Sequence, residues 1–266
     1  MNNKVIYTCC VGGYDDIKQP VVIDKEFDYI CFSNDIKEAT IGIWKVRSIP
    51  YVNHSLAKVS RYPKLLPHIV LPEYDYSVYI DANIQIVCQE FYDTINTKIS
   101  SNCFIAQVNH CVPPIDCIYD EIFYAYKFCK LSVIDTWRHT MFLKKQGFPE
   151  HYGLFENNLI YRMHNNNKVI QISFQWWEEF LRYSSRDQLS LMYVYWKNHY
   201  MPELLFDKDV CTRNSPCLQY DMHLWERKNN RTITLKNRLQ WHFHKHSFML
   251  LKSLFLFLAQ FREKTL

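Results

Sequence analysis

Val78-Tyr79-Ile80-Asp81-Ala82-Asn83-Ile84-Gln85-Ile86 is an apolar run that stops at a carboxylate. The β-branched and aromatic residues up to Ile80 read as a buried strand. One residue past Asp81 comes the Asn83 amide, and then a short alternating segment. A carboxylate where a buried parallel strand ends lies near the crevice in which open α/β sheets bind ligands. Asp81 and Asn83 both offer hard oxygen atoms, which suit a divalent cation carrying a diphosphate. The competing structural reading is an Asp-Ala-Asn turn leaving a core strand.

Outward from this segment, strand-like and helix-like patterns alternate, which predicts an α/β fold with a mixed, mainly parallel sheet flanked by helices. Lys4 to Cys10, Phe27 to Ser33, Trp44 to Ile49 and Cys103 to Val108 read as strands. His54 to His68 reads as a helix interrupted at Pro63, and Asp120 to Gly147 as largely helical. Ser184-Ser185-Arg186-Asp187-Gln188 opens an apolar helix, with Ser185 and Gln188 spaced as a capping box. No internal repeat or low-complexity linker is evident.

The chain has 266 residues, 48% hydrophobic and 16% aromatic, so it is globular and long enough for a sizeable core. The formal net charge of +4 is mild and calls for no nucleic-acid partner. The Met-Asn-Asn-Lys start runs straight into a strand-like segment without an apolar signal region, so a cytoplasmic location is expected. The ten cysteines contain no Cys-x-x-Cys pair, and they are expected to be reduced and mostly core-filling. A zinc site from Cys111, Cys117, Cys211 or Cys217 stays open, although their spacing matches no ligand pattern.

Several residues are candidates for chemistry, each beside a plainer reading. The turn from Thr8 to Asp16 holds Gly12 and Gly13, two of only five glycines. It lets backbone approach a nucleoside, or simply connects strand to loop. Lys58, Arg61 and Lys64 recur every third residue and share a helix face, suited to phosphates or to solvent. Glu156, Asn157 and Asn158 offer polar groups to a sugar, or form an ordinary polar loop. Asp187 lies in the first turn of its helix, where a carboxylate also stabilises the dipole. It is far along the chain from the first-half nucleotide elements, so it is expected to orient donor sugar or acceptor. His242, His244 and His246 alternate; a strand would put all three on one face, a helix would not.

Taken together, Tyr7-Thr8 with Gly12-Gly13-Tyr14-Asp15, Lys58-x-x-Arg61-x-x-Lys64, Tyr79 to Ile84, Phe155 to Arg162 and Ser184 to Gln188 resemble a glycosyltransferase-like family. It is the family that includes plant mucilage-related and pollen-tube-turgor proteins. The resemblance covers roughly residues 4 to 200. It implies a Rossmann-like GT-A fold, a nucleotide-sugar donor, most often a uridine diphosphate (UDP) sugar, and Mn²⁺ or Mg²⁺. By motif match it places Asp81 and Asn83 at the Asp-x-Asp metal positions. Arg61 and Lys64 take the basic positions before that motif, and Asp187 the acid near the donor sugar. His242 or His244 would complete the metal shell, as a C-terminal His does in related galactosyltransferases. The nucleotide-binding candidates are then Thr8, Gly12, Gly13, Tyr14, Asp15, Arg61 and Lys64; the catalytic candidates are Asp187, Glu156 and Asn157. Asn83 in place of the second acid removes one negative charge and weakens the case for a tightly held metal.

The function this implies is transfer of a hexose from a UDP sugar to a glycan or lipid-linked acceptor in bacterial surface-polysaccharide synthesis, leaning toward retention. The rival readings are a metal-dependent hydrolase of a sugar or lipid, and a non-catalytic nucleotide- or glycan-binding module. Residues 1–240 would form the catalytic domain and 241–266 a basic, apolar helical tail. Its uncharged stretch from Ser253 to Gln260 is too short to span a bilayer. The tail would lie at the inner membrane face, or pack on the core or on a second subunit.

Overall fold

The computed structural model describes residues 3–111, 113–183, 186–223 and 235–263. The strands are β1 (Lys4–Cys9), β2 (Phe27–Phe32), β3 (Thr40–Ile41), β4 (Trp44–Arg47), β5 (Tyr76–Ile80), β6 (Ile84–Ile86), β7 (Ile105–Asn109), β8 (Phe155–Arg162), β9 (Glu203–Leu204) and β10 (Leu218–Tyr220). The helices are α1 (Leu56–Leu65), α2 (Pro67–Val70), α3 (Glu90–Ser100), α4 (Ile118–Lys127), α5 (Val133–Lys145), α6 (Asn167–Tyr183), α7 (Leu191–Lys197) and α8 (Leu235–Glu263), with a 3-10 turn at Asp187–Leu189.

Eight strands form one sheet in the order β3-β4-β2-β1-β5-β8-β7-β9. β4, β2, β1 and β5 run parallel, β8 lies antiparallel between β5 and β7, and β9 is parallel to β7. This is the mixed, mainly parallel α/β sheet the sequence predicts. From β1 the chain winds outward through β2 and β4, then returns to add β5 on the other side of β1. The order therefore reverses between β1 and β5, and ligands of open α/β sheets bind at the carboxyl ends beside such a reversal.

Strand alternation sorts side chains into two cores. Val5, Tyr7 and Tyr79 join one face, together with Val59 of α1 and Val169, Ile172, Trp176 and Phe180 of α6. Ile6, Val78 and Ile80 join the other, with Phe91, Tyr92 and Ile95 of α3. Both faces of the central strands are covered, which is why β1 and β5 read as continuous apolar runs.

Two expectations need correction. The helix expected over Asp120 to Gly147 is two helices: α4 stops at Lys127, Cys129 takes φ 56°, and Ser132 caps α5 by accepting from the Asp135 amide. The cysteines are not all free, because Cys88 is disulfide-bonded to Cys217. That bond ties the residue after Val87 to the start of β10, which pairs antiparallel with β6 as a separate two-stranded ribbon. Of the other cysteines raised for zinc, Cys111 and Cys211 share a thiol hydrogen bond, whereas Cys117 joins the opposite core. Ser185 of the expected capping box lies outside the described residues.

The disulfide closes a sequence separation of 129 residues. Cross-links over loops of this size restrict the unfolded chain and stabilise by about 2–4 kcal/mol. Cys217→Ser should lower the urea-unfolding free energy by about that amount. Dithiothreitol should bring wild type to the same midpoint; identical midpoints for oxidised wild type and variant would show that the bridge adds nothing.

Candidate functional site

α1 brings cations to the carboxyl end of β5. Ser55 caps its N-terminus, and Val59, Pro63, Lys64 and Leu65 form its buried side. Lys64 is thus a lysine on an apolar face, a position tolerated only when the ammonium is paired. Its Nζ lies 2.6 Å from Asp187 Oδ2 and 3.8 Å from Asp81 Oδ1, and sits 4.8 Å from the centre of the Tyr79 ring. Arg61, one helical turn earlier, places Nε 3.4 Å from Asp187 Oδ1. The Lys64 carbonyl, in the last turn of α1, accepts from Arg162 at 2.7 Å, and Arg162 also donates to the Tyr7 hydroxyl at 2.5 Å. A buried guanidinium from β8 therefore satisfies the end of α1 and complements its dipole.

Asp187 is the hub. Its side chain is only 8% exposed, and that of Lys64 only 4%. Burial alone would push the Asp187 carboxyl up; Lys64 and Arg61 outweigh this and hold it below the usual carboxylate range. Burial works against charge on Arg61 too, and Asp187, Tyr79 and Asp81 more than offset it, raising its pKa. Arg61 keeps 36% of its side chain exposed and remains accessible to a ligand. The 3-10 turn carrying Asp187 is fixed by its own backbone: Trp176 Nε1 donates to the Asp187 carbonyl at 3.1 Å. Gln188 donates to the Phe155 carbonyl and accepts from the Asn157 amide at 3.3 Å. One dipeptide thus binds α1 through Asp187 and the start of β8 through Gln188.

Asp81 follows Tyr79 by two residues and so faces the same side of β5. The Tyr79 hydroxyl donates to Asp81 Oδ1 at 2.7 Å. Burial first, and then the Asp81 charge, push the Tyr79 pKa well above its ordinary value, so Tyr79 stays a donor. Asp81, Ala82 and Asn83 form a turn, closed by the Ile84 amide on the Asp81 carbonyl at 3.0 Å. The Asp-Ala-Asn turn of the structural reading is therefore present. Asn83 is 2% exposed; its Nδ2 donates to the Asp221 carbonyl at 2.5 Å, while its buried Oδ1 has no partner among the described residues.

The turn after β1 lies across the same crevice. Gly12 and Gly13 adopt φ of 70° and 59°, and a Cβ on Gly12 would come within 2.6 Å of Leu56 at the start of α1. The positive φ favours glycine there, while the end of the exposed Leu56 side chain is free to give way. The Gly12 amide donates to Asp35, past the end of β2. Thr8 is wholly buried within β1, its hydroxyl without a partner among the described residues, whereas Tyr14 is 42% exposed. Asp15 lies 2.8 Å from Nδ1 of His223, whose ring is 4.9 Å from that of Tyr14.

Glu156 and Asn157 lie at the start of β8, beside the Asp81 turn, whose Asp81 amide donates to the Asn158 carbonyl at 2.9 Å. Glu156 is buried, paired with Arg213 and accepting from the Thr212 hydroxyl at 2.7 Å. Asn157 accepts from Gln107 at 3.0 Å, and its buried Nδ2 has no partner among the described residues. The structure does not bring His242 and His244 to Asp81. Both lie on α8, where helical geometry splits them: His242 contacts His246 one turn away, while His244 stacks on Tyr126 and bonds its carbonyl at 2.7 Å. The expected chain separation of Asp187 from the phosphate cations is not a separation in space, since Asp187 is their anchor. Sequence reading missed His223 and Tyr79. His223 belongs to no motif; Tyr79 could have been found from strand period, two residues before Asp81 on the same face.

The donor set fits a divalent cation. Asp81 and the unpartnered Asn83 Oδ1 are hard oxygens, and Mg²⁺ is often held by one or two such groups together with substrate phosphates. Charge points the same way. Arg61 and Lys64 are balanced by Asp81 and Asp187, so a diphosphate would bring uncompensated negative charge to this cluster.

Buried cations, an acidic turn and a glycine turn thus gather at the reversal of a mainly parallel sheet. The family model for the TOD1/MUCI70 glycosyltransferase-like domain matches residues 1–221, and the chain belongs to that family of glycosyltransferases. Among solved structures, the apo crystal structure of mouse xyloside xylosyltransferase 1 is similar at 9% identity and a TM-score of 0.38, over 77% of this chain and 78% of that one. Comparison with curated proteins gives no match.

The depressed Asp187 pKa sets a sign for acid stability. Its ionisation stabilises the fold fully above the ordinary value of 3.8, and the gain is lost as pH falls through the lower folded-state value. Asp187→Asn should cost about 3–5 kcal/mol at neutral pH, by leaving buried Lys64 uncompensated. It should also flatten the pH dependence of stability below about pH 4. Urea titrations across this range check both; a variant with wild-type acid sensitivity contradicts the assignment.

Proposed function

We propose that the protein transfers a hexose from a UDP sugar to a glycan or lipid-linked acceptor in bacterial surface-polysaccharide synthesis. The observation that carries this reading is the gathering of Arg61, Lys64, Asp81 and Asp187 at the reversal between β1 and β5. The leaving diphosphate takes its place beside Arg61, whose partly exposed guanidinium can offer it a charge-assisted donor. Lys64 links Asp81 to Asp187 from beneath. Asp187 positions both cations; with its oxygens committed to them, it is not a free base. The turn of Gly12, Gly13, Tyr14 and Asp15 lines the nucleoside side. Asp81 and Asn83 would hold Mg²⁺ or Mn²⁺, which when bound neutralises developing phosphate charge. Retention of configuration is carried over from the family resemblance alone.

Calorimetry with UDP tests the site without requiring the acceptor. Arg61→Ala should weaken binding about 10- to 100-fold, the loss of a charge-assisted contact. Mn²⁺ should tighten UDP binding to wild type and to Arg61→Ala, but not to Asp81→Asn. Equal affinity in wild type and Arg61→Ala would return this arginine to a surface role. A metal effect that survives in Asp81→Asn would move the ion elsewhere.

A further inference from the structure

α8 packs with one side only. His244 and Phe255 are buried, Phe255 against Phe123 of α4 and Trp137 of α5, and Lys252 pairs with Asp120 of α4. On the outer side, Leu239, Phe243, Leu250 and Leu254 are 62%, 62%, 72% and 45% exposed. Their spacing of four, seven and four residues keeps them within one narrow arc of the helix, a stripe about 22 Å long. The connection after α4 adds Phe128 at 50% exposure, and Lys127 lies over the rings of both Phe128 and Phe248. An apolar stripe of this length is more than scattered surface leucines.

Charge identifies what covers it. Over residues 235–263 the sequence has Lys236, Arg238, Lys245, Lys252 and Arg262 against Glu263 alone: five minus one gives +4, equal to the net charge of the whole chain. The rest of the protein is formally neutral, so its entire excess charge resides in α8. A second copy seated on this stripe would set +4 against +4. An anionic surface would be attracted, and no helix among the described residues is long and apolar enough to cross a membrane. An apolar stripe within a cationic helix is suited to lying in a lipid interface.

We propose that the outer face of α8 docks on an anionic lipid surface. α8 is joined to the candidate site through one helix. Lys252 holds Asp120 of α4, the next residue Glu121 pairs with Arg186, and Arg186 adjoins Asp187. Docking therefore brings a lipid-linked acceptor to the sugar-transfer crevice; only this consequence rests on the function proposed above.

Full-length protein should sediment with phosphatidylglycerol-containing vesicles, not with pure phosphatidylcholine, and salt should weaken the binding. The double variant L250E/L254E should lose about tenfold or more in vesicle affinity, because both side chains leave the acyl boundary. Its melting temperature and UDP affinity should remain those of wild type, separating this outcome from a failure of the donor site. Wild type that ignores anionic vesicles, or a double variant that binds them equally, overturns the proposal. Wild-type dimers that the same two substitutions dissociate would assign the stripe to a second copy instead.

Discussion

The ion pair between Lys64 and Asp187 is the constraint on which the site depends. Lys64 is held on the buried side of α1 by the packing of Val59, Pro63 and Leu65, so its ammonium cannot reach water. A buried charge must be matched, and Asp187 matches it from a turn 123 positions further along the chain. Because Asp187 also engages Arg61, and its neighbour Gln188 holds the start of β8, this contact fixes α1, the 3-10 turn and an interior strand of the sheet together. Asp81 is then presented beside a cation whose position is already set. Replacing such a pair by apolar residues often costs little, whereas removing one partner costs several kcal/mol. A matched charge pair at this depth is better explained by the positions it gives Arg61 and Asp81 than by stability.

The opposite wall is held by the ribbon of β6 and β10. The Cys88–Cys217 bond closes one end of it. At the other end Asn83 and Asp221 exchange backbone and side-chain hydrogen bonds, and His223 reaches Asp15 beyond the glycine turn. The segment leading into β10 also supplies Thr212 and Arg213 to Glu156. Residues that resemble catalytic acids in sequence thus differ in their duties. Glu156 anchors this strap, Asp187 anchors the cations, and Asp81 keeps an oxygen without a hydrogen-bond partner among the described residues.

Much of the architecture was legible because burial on both faces leaves an unbroken apolar signature, as in β1, β2 and β5. The Asp81 turn was legible from one carboxylate ending such a run. Arg61 and Lys64 were legible as a stripe, but their opposite exposures were not: Lys64 is turned inward by packing that periodicity alone does not reveal. The break between α4 and α5 was hidden because Cys129 takes a left-handed conformation without a glycine to announce it. Contacts such as His223 with Asp15 and Lys64 with Asp187 depend on how the sheet closes, and no local pattern encodes them. The histidines at 242 and 244 misled for the converse reason: alternation in sequence suggested one face, and the helix separates them.

The most direct measurement is a double-mutant cycle on unfolding free energy, using Lys64→Met, Asp187→Asn and the pair. If the buried ion pair organises the site, each single variant loses several kcal/mol and the double variant loses clearly less than their sum, by about 2 kcal/mol. Additive losses, within about 0.5 kcal/mol, would show that Lys64 and Asp187 do not depend on each other and would contradict it.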